Sequence, residues 1–574
     1  MAYFFNGRLY ITPTTASAVD DSALANQNLS VGNVACYIGL STGGQPGVPL
    51  TFGSPQEALN TLIGGELAQA CAKAFSPSTE TGGASSVVAI RVNPAVQATL
   101  NLKDSLNNAV IAVTSADWGL YTNQVKLSLS AGTTQGYRAT VALGSASYAQ
   151  DNIYSSPFSV VYTGAQTTAT MTITPTSITL AAPAGTTVAT IDLNAYPTVQ
   201  KVVDYINTVA GFAASVSGGS GTAPTLNGLD NVVAQSVKTT TYNVTANLSA
   251  IVSWLNGPGQ PLVTATRVAG AGTLPVQIPF TYLSGGADGT ATNTNWSSAF
   301  TALQAVDVQW ITPITSNSAI WAMADAHAQF MSTVGRMERR VICGMALGST
   351  DAQAITAAFA INSDRTSLVH IGHYDYDQTG QLSGLQLFSP YLTAAIIAGA
   401  FSGVSPGTPM TNKALSVSGL ERLLLNPTNT DPLITGGVLC VEKTKNGFMV
   451  VQSISTWLVN DNYDKVEQSV GWALDYVARN VRDGLDVLRG QKNNQITLAR
   501  AASITESRLR QLAIPDPQGP GVLAGDPDNP AYQNITAAAV GDAIAVSFQC
   551  SPVLPANYIA VTIYAVPFTG TASA

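Results

Sequence analysis

The chain has 574 residues, of which 46% are apolar and only 10% are charged, and its formal net charge is −8. Soluble proteins carry about 25% charged residues, and disordered chains are rich in charge and poor in apolar residues, so the composition excludes extensive disorder. The acidic balance argues against nucleic acid as a main partner. A surface with few charges suits a subunit that contacts copies of itself, although a secreted or virion β-protein with a Ser/Thr-rich exterior fits equally well.

The cysteines and the N-terminus indicate the cellular compartment in which the chain folds. Five scattered cysteines predict buried free thiols and folding in a reducing cytoplasm, rather than disulfides or a zinc site. No basic segment followed by an apolar run opens the chain, so we expect no signal peptide. The longest apolar stretch, residues 391–404, is too short to span a bilayer, and we expect no membrane insertion.

Residues 1–270, nearly half of the chain, are predicted to form three units. Residues 1–30 read as an extended N-terminal arm, because a strand-prone segment is followed by a Thr/Ala/Ser/Asn stretch without a core-forming pattern. Residues 31–100 predict an α/β layer. Its predicted elements are strands at 34–40 and 86–92 and a helix at 54–62. Residues 101–270 show alternating strands and one helix, which indicates an inserted β-rich domain; an independent middle domain is the alternative.

The strand and helix alternation of the α/β layer returns in residues 271–430. It predicts a mainly parallel sheet covered on both faces, so we assign residues 31–100 plus 271–430 to one α/β core domain. The predicted strands are 306–311, 340–345 and 367–374, and the predicted helices are 318–334, 351–361 and 390–401.

The last part predicts a C-terminal α+β domain over residues 431–550 and a strand arm over 551–574. Asn446-Gly447 between two apolar runs is a strong hairpin signal. The other predicted elements are helices at 464–488 and 497–512 and strands at 543–548 and 557–564. The predicted fold class is therefore α/β and α+β, multidomain, with a central parallel sheet and two extended arms.

Short landmarks follow one another across residues 31–100 and 280–566. They include Gly-Gly-Ala-Asp-Gly at 285–289, Asp-Arg at 364–365, Ser-Thr-Trp at 455–457, Leu-Asp-Tyr-Val-Ala-Arg at 474–479 and Pro-Ala-Asn-Tyr-Ile at 555–559. In order and spacing this series resembles the contractile tail sheath family of phages and bacteriocins. Residues 101–270 carry little of the likeness, and Asn-Gly-Arg-Leu-Tyr at 6–10 stands where Pro-Gly-x-Tyr is commoner in that family.

The resemblance implies a structural subunit without enzymatic activity or cofactor. Such subunits form hexameric rings that stack around a tail tube in a metastable extended state, and they contract to drive the tube through the host envelope. The implied partners are copies of the chain, the tail tube protein, and the baseplate and tail terminator proteins. The implied location is the virion tail, with assembly in the host cytoplasm. A bacteriocin or secretion-machine sheath is the alternative.

Two motifs could bind a ligand. The first motif contains residue types that bind metal ions: His370, His373, Asp375 and Asp377. A strand that ends in an Asp-rich turn explains the motif better, and the tail sheath family that the chain resembles has no metal there. The Gly-Gly-Ala-Asp-Gly segment lacks the lysine of a phosphate-binding loop, so we expect a tight turn.

Catalysis finds little support in the sequence. The chain has three histidines and no Gly-x-Ser-x-Gly motif, and we assign no catalytic residue. A virion-associated polysaccharide hydrolase stays a remote alternative. An adhesin or surface-layer protein would usually carry an export signal.

Residues 479–510 are basic within an acidic chain, with seven cations against three anions. Helical spacing places Arg479, Arg482 and Arg489 on one face, opposite an apolar stripe. One interpretation is that this helix face is simply exposed to solvent. Sheath proteins place a helix of this region against the tail tube, so the resemblance implies that these arginines face the tube.

Both termini contain short strand-prone segments. A lone strand exposes unpaired backbone groups, which a neighbour's sheet can satisfy. Exchange of strands between subunits is a heterologous contact and generates rings or helical polymers; pairing within the same chain is the alternative. The predicted inter-subunit arm residues are Tyr3, Phe5, Leu9, Ile11, Tyr558, Ile559, Val561 and Ile563.

Overall fold

The computed structural model describes residues 3–5, 8–10, 33–567 and 570 of the chain. Strands β1 (Tyr3–Phe5) and β2 (Arg8–Tyr10) pair with each other in antiparallel register. The rest of the predicted N-terminal arm, Ile11 included, lies outside the described residues. The first core elements are β3 (Ala35–Gly39), β4 (Pro49–Phe52), α1 (Pro55–Leu62), α2 (Glu66–Lys73) and β5 (Val87–Arg91).

The region predicted as an insertion is β-rich. Its first strands are β6 (Thr99–Lys103), β7 (Ala109–Ser115), β8 (Lys126–Ala131), β9 (Tyr137–Leu143) and β10 (Ala146–Ile153). Then follow β11 (Phe158–Tyr162), β12 (Thr170–Ile173), β13 (Ser177–Ala181), β14 (Thr187–Asp192), α3 (Val199–Ile206), β15 (Phe212–Val216), β16 (Val232–Ser236) and β17 (Tyr242–Val244). It ends with α4 (Asn247–Leu255), β18 (Val263–Arg267) and β19 (Ile278–Tyr282), and it has short 3-10 helices at Leu120–Gln124 and Ser220–Thr222.

Helices and strands alternate again after the insertion. The elements are α5 (Asn293–Leu303), β20 (Trp310–Pro313), α6 (Ser318–Thr333), β21 (Arg340–Gly344), α7 (Asp351–Ile361), β22 (Thr366–His370), β23 (His373–Tyr376) and β24 (Leu385–Phe388). They continue with α8 (Pro390–Ser402), β25 (Ala414–Leu415), β26 (Gly419–Leu420), α9 (Thr430–Thr435), β27 (Val438–Thr444) and β28 (Gly447–Val450).

The C-terminal part begins with two helices and ends in a hairpin. The elements are α10 (Tyr463–Val466), α11 (Gln468–Leu485), a 3-10 turn (Asp486–Leu488), α12 (Gln495–Leu512), β29 (Tyr532–Val540) and β30 (Ala543–Cys550). Among the described residues, no helix combines the length and the apolar character needed to cross a bilayer.

A nine-stranded sheet forms the centre of the chain, in the order β25-β28-β27-β22-β21-β20-β3-β5-β4. The pairs from β27 to β5 are parallel, and the antiparallel strands β4 and β28 lie outside them. Strands β3, β5, β20, β21 and β22 are buried at every residue, as expected of a sheet covered on both faces. The predicted mixed α/β class is confirmed.

The boundary predicted at residue 431 is wrong. Strand β27 pairs in parallel with β22, so the hairpin β27–β28 extends the central sheet instead of opening the C-terminal domain. That domain has a small core of its own, which includes Ala473, Val477, Leu509 and Val522. The predicted helix 464–488 is also interrupted, because Glu467 adopts an extended conformation between α10 and α11.

The insertion contains two hydrophobic cores where we predicted one domain. We call the core formed by the two ends of the insertion the proximal core; it includes Leu102, Val113, Leu127 and Leu255. The distal core is formed by the middle of the insertion, between Phe158 and Val244. The distal part is tied to the proximal part through the start of α4. There the Asp230 carboxylate accepts hydrogen bonds from the backbone N–H groups of Asn247 and Leu248 at 2.7 and 3.0 Å.

Because the two cores are separate, we predict that the distal part can be removed without unfolding the rest of the chain. The chain enters and leaves it side by side, since the Ala246 amide donates to the Ser155 carbonyl at 2.9 Å. Replacing residues 157–244 with a short Gly/Ser linker should therefore leave the remaining chain folded, with native secondary structure and a cooperative thermal transition by circular dichroism. Loss of the thermal transition would show instead that the cores fold as one unit.

Candidate assembly surface

The candidate metal residues are separated in the structure. Ile371, with φ +87°, breaks the predicted strand 367–374 into β22 and β23, so the two histidines belong to different sheets. His370 Nε2 contacts Asp351 Oδ1 at 3.0 Å, and His373 Nδ1 contacts Thr393 Oγ1 at 2.8 Å. Burial lowers the pKa of His373 to about 4, so its imidazole is neutral near pH 7.

The two aspartates of the same motif also have partners within the chain. Asp375 forms a buried ion pair with Lys73 at 2.5 Å. Asp377 accepts hydrogen bonds from the amides of Thr379, Gln381 and Leu382 in the following turn. No group of three metal-ligating side chains comes together in the part of the chain that the structure describes.

The Gly-Gly-Ala-Asp-Gly turn joins the core to the insertion. Asp288 Oδ1 accepts hydrogen bonds from Arg91 Nη2 and from the Leu120 amide, both at 3.0 Å. The Arg91 side chain is fully buried, and its Nη1 donates to the carbonyls of Gly44 and Trp118. The turn therefore closes the carboxyl end of β5, where an open α/β sheet often binds a ligand, with side chains of the protein itself.

Buried ion pairs attach α11 to the central sheet. Asp475 Oδ2 lies 2.9 Å from Arg340 Nε and 2.7 Å from Arg365 Nη1, and all three side chains are largely buried. Beside them, Lys465 Nζ lies 2.6 Å from Asp364 Oδ2. Charges from β21, β22 and the C-terminal helices thus neutralise one another across the domain junction, which fixes the helix against the sheet.

Arg479 and Arg482 belong to the same junction. Arg479 lies 2.6 Å from Asp307 with only 7% of its side chain exposed, and it also contacts Glu338, which pairs with Arg482. The prediction that Arg479 faces a tube is therefore wrong, because its charge is used inside the chain. Arg482 is partly exposed but shares Glu338. No local pattern revealed this, since the two acids are distant in sequence.

A cationic tip lies at the far end of α11. We define the tip as residues 486–500, where the chain turns from α11 into α12. Arg489, Lys492 and Arg500 are exposed there. Arg489, with 72% of its side chain exposed, forms a surface ion pair with Asp486, and such exposed pairs contribute little stability. Val487 and Ile496 are exposed beside them. Of the three predicted tube-facing arginines, Arg489 has the most accessible charge.

The C-terminal segment leaves the body unpaired. Residues 553–567 belong to no strand in the structure, although residues 557–564 were predicted as one. Tyr558, Ile559, Val561 and Ile563 are each at least 76% exposed. The segment has the composition of a strand but pairs with no strand in the part of the chain that the structure describes.

A β-ribbon with open edges lies in the same C-terminal region. Strands β29 and β30 form a two-stranded sheet, so each has an edge that no further strand of the described chain covers. On one face, Ile544, Val546 and Phe548 line a groove of about 560 Å³ shared with Val481 and Leu485 of α11. An edge strand beside an apolar groove is the usual acceptor for an added strand.

The buried ion pairs between α11 and the central sheet predict that the charge of Asp475 contributes strongly to stability. Asp475→Asn should lower the free energy of unfolding by about 3–5 kcal/mol, because Arg340 and Arg365 would lose their shared carboxylate in a buried site. Asp486→Asn, which breaks the exposed pair with Arg489, is the matched control and should cost at most about 1 kcal/mol. Urea unfolding measures both; equal effects would contradict the assignment of Asp475 as the junction's central charge.

No model of a known protein family matches the chain. Among curated proteins, the tail sheath protein of Bacillus phage SP01 is 30% identical over 585 aligned residues, covering 99% of this chain and 97% of the relative. The putative tail sheath protein of Enterococcus phage phiEF24C is 30% identical over 499 residues, covering 83% of this chain and 84% of the relative.

Solved structures share the fold at low sequence identity. A sheath tail protein of Listeria innocua aligns with a TM-score of 0.55 at 12% identity, covering 93% of this chain and 94% of its own. One of Desulfitobacterium hafniense aligns with a TM-score of 0.51 at 14% identity, covering 95% and 99%. With the SP01 relative matched over nearly its whole length, the chain belongs to the tail sheath protein family.

Proposed function

We propose that the chain is the subunit of a contractile phage tail sheath and polymerises by donating its terminal strands to neighbouring subunits. The observation that carries the proposal is the apolar segment 558–566, which pairs with no strand of the described chain. Beside it stands a two-stranded ribbon whose edges no other described strand covers. Burying one aliphatic or aromatic side chain stabilises by about 1.5–3 kcal/mol, so this segment supplies a strong drive to associate.

The ribbon β29–β30 is the proposed acceptor. A strand added to the free edge of β30 would complete the hydrogen bonds of that edge, and its alternate side chains would cover the groove lined by Ile544, Val546 and Phe548. The donor and the acceptor are different segments of the subunit, so the contact is heterologous and propagates. The strand pair β1–β2 is the proposed N-terminal counterpart, opened for exchange in the polymer.

In the proposed assembly, hexameric rings stack around the tail tube, with the C-terminal domain inward and the insertion outward. The baseplate triggers the change from a metastable extended state to a contracted state, and a terminator protein caps the stack. No nucleotide or cofactor takes part, because the energy is stored in the assembly. Relatives with phage names favour a phage tail over a bacteriocin or secretion machine.

The cationic tip is the proposed contact with the tube. It carries Arg489, Lys492 and Arg500 in a chain of net charge −8, and exposed Val487 and Ile496 flank them. Exposed charges of one sign steer association with a surface of the opposite sign, so the tip fits an acidic tube.

Removing residues 558–574 tests the strand donation. Residues 551–553 still bond to the body, whereas residues 558–567 form no strand pairing with the described chain, so the truncated chain should stay folded and monomeric. Negative-stain electron microscopy should show tubes or rings for the full chain and none for the truncated one. Normal tubes from the truncated chain would exclude the C-terminal arm as a required link.

Charge reversal tests the tube contact. Lys492→Glu with Arg500→Glu, two exposed cations of the tip that do not line the strand-acceptor groove, should reduce the yield of extended tails by about tenfold, because like charges would face the acidic tube. The melting temperature should not change. Arg138→Glu with Lys201→Glu, two exposed cations of the insertion, is the matched control and should leave the yield unchanged. An unchanged yield for the tip variant would make the tip an ordinary solvated surface.

A further inference from the structure

The C-terminal arm leaves the folded body at a defined place. The Ser551 amide donates to the Ala531 carbonyl, and the Val553 amide donates to the Val522 carbonyl. Four residues later, Asn557 Nδ2 donates to Glu467 Oε2 at 3.3 Å. The large apolar side chains that follow, from Tyr558 to Val566, are each more than three-quarters exposed. Asn557 therefore marks the end of the attached chain and the beginning of the free segment.

Glu467 is a buried carboxylate held by neutral donors. Only 1% of the residue is exposed, at the position that precedes α11. Its oxygens accept from Ser453 Oγ at 2.5 Å and from Gln452 Nε2 at 3.3 Å, besides Asn557. Burial raises the pKa of Glu467, and the hydrogen bonds from Ser453, Gln452, Asn557 and Ser469 lower it. The positive end of the 18-residue helix α11 also favours an anion at this position.

The hydrogen bond between Asn557 and Glu467 serves both residues. A buried carboxylate needs several donors to offset its lost hydration, and Asn557 supplies one of them. In turn, Asn557 Oδ1 is buried without a hydrogen-bond partner, so this amide is held through its nitrogen. A buried acceptor that lacks a partner costs free energy, and neighbouring contacts must offset that cost. The bond to the charged acceptor is the contact that holds the arm there.

We infer that Glu467 is the anchor of the C-terminal arm: it fixes the point and direction in which residues 558–567 leave the subunit. The inference rests on the proposed strand exchange. Without the anchor, the arm would be free from Val553 onward, which adds four residues and about 13 Å of reach. A looser base spreads the arm over a larger volume, lowers its effective concentration at the neighbour's ribbon and weakens polymerisation.

Two substitutions at one position test the anchor. Asn557→Ala removes the donor, and Asn557→Asp places a second carboxylate against that of Glu467. Both should raise the subunit concentration needed for polymerisation about tenfold at neutral pH. At lower pH, one of the two adjacent carboxyl groups binds a proton and donates a hydrogen bond to the other. Acid should therefore restore polymerisation of the Asn557→Asp variant and not of the Asn557→Ala variant. Asn529→Ala, an exposed asparagine of the same domain, is the control and should behave as the unmodified chain.

A second measurement separates the anchor from polymerisation. In the monomer, hydrogen exchange at the Val553 amide should be about tenfold faster in Asn557→Ala, while exchange in the central sheet stays unchanged. Unchanged exchange at Val553, or Asn557→Asp polymerising normally at neutral pH, would overturn the anchor and leave the strand exchange intact. If the full unmodified chain forms no polymer but hydrogen exchange at Val553 is faster in Asn557→Ala, the proposed function fails and the anchor stands.

Discussion

The buried charge cluster around Asp475 is the constraint on which the functional surfaces depend. Arg340 begins β21, Arg365 directly precedes β22, and Asp475 comes from α11, so the cluster fixes how the C-terminal domain sits on the core. Both proposed working parts are attached to that helix. Glu467 holds the arm at its start, and the cationic tip lies beyond its end, about 27 Å away at 1.5 Å per residue.

The value of such a junction lies in orientation more than in stability. Buried ion pairs often contribute little net stability compared with apolar packing, but their geometry admits few alternatives. Here the cluster around Asp475 and the pairs of Arg479 and Arg482 fix both the rotation and the tilt of α11. At the other end of the core, Arg91 and Asp288 tie down the insertion. These pairs favour motion of the described core, insertion and C-terminal domain as one unit.

The sequence reveals what depends on local pattern. Alternating apolar strands and helices predicted the central sheet, and Asn446-Gly447 predicted the hairpin β27–β28. What the pattern missed depends on distant partners: the hairpin's place at the edge of the sheet, and the burial of Arg479 against acids more than a hundred residues away. Residues 557–564 have the composition of a strand, but a strand also needs a neighbouring backbone, and the described residues of the chain place none beside them.

The central claim is that one subunit's terminal strand completes another subunit's ribbon. A cryo-electron microscopy map of the assembled polymer tests it most directly, because side-chain density would identify the strand that lies beside β30. The account predicts residues 558–566 of a neighbouring subunit along the ribbon β29–β30, with their alternate side chains over the groove between β30 and α11. A polymer in which that ribbon remains two-stranded and the subunits touch only through folded domain faces would contradict the account.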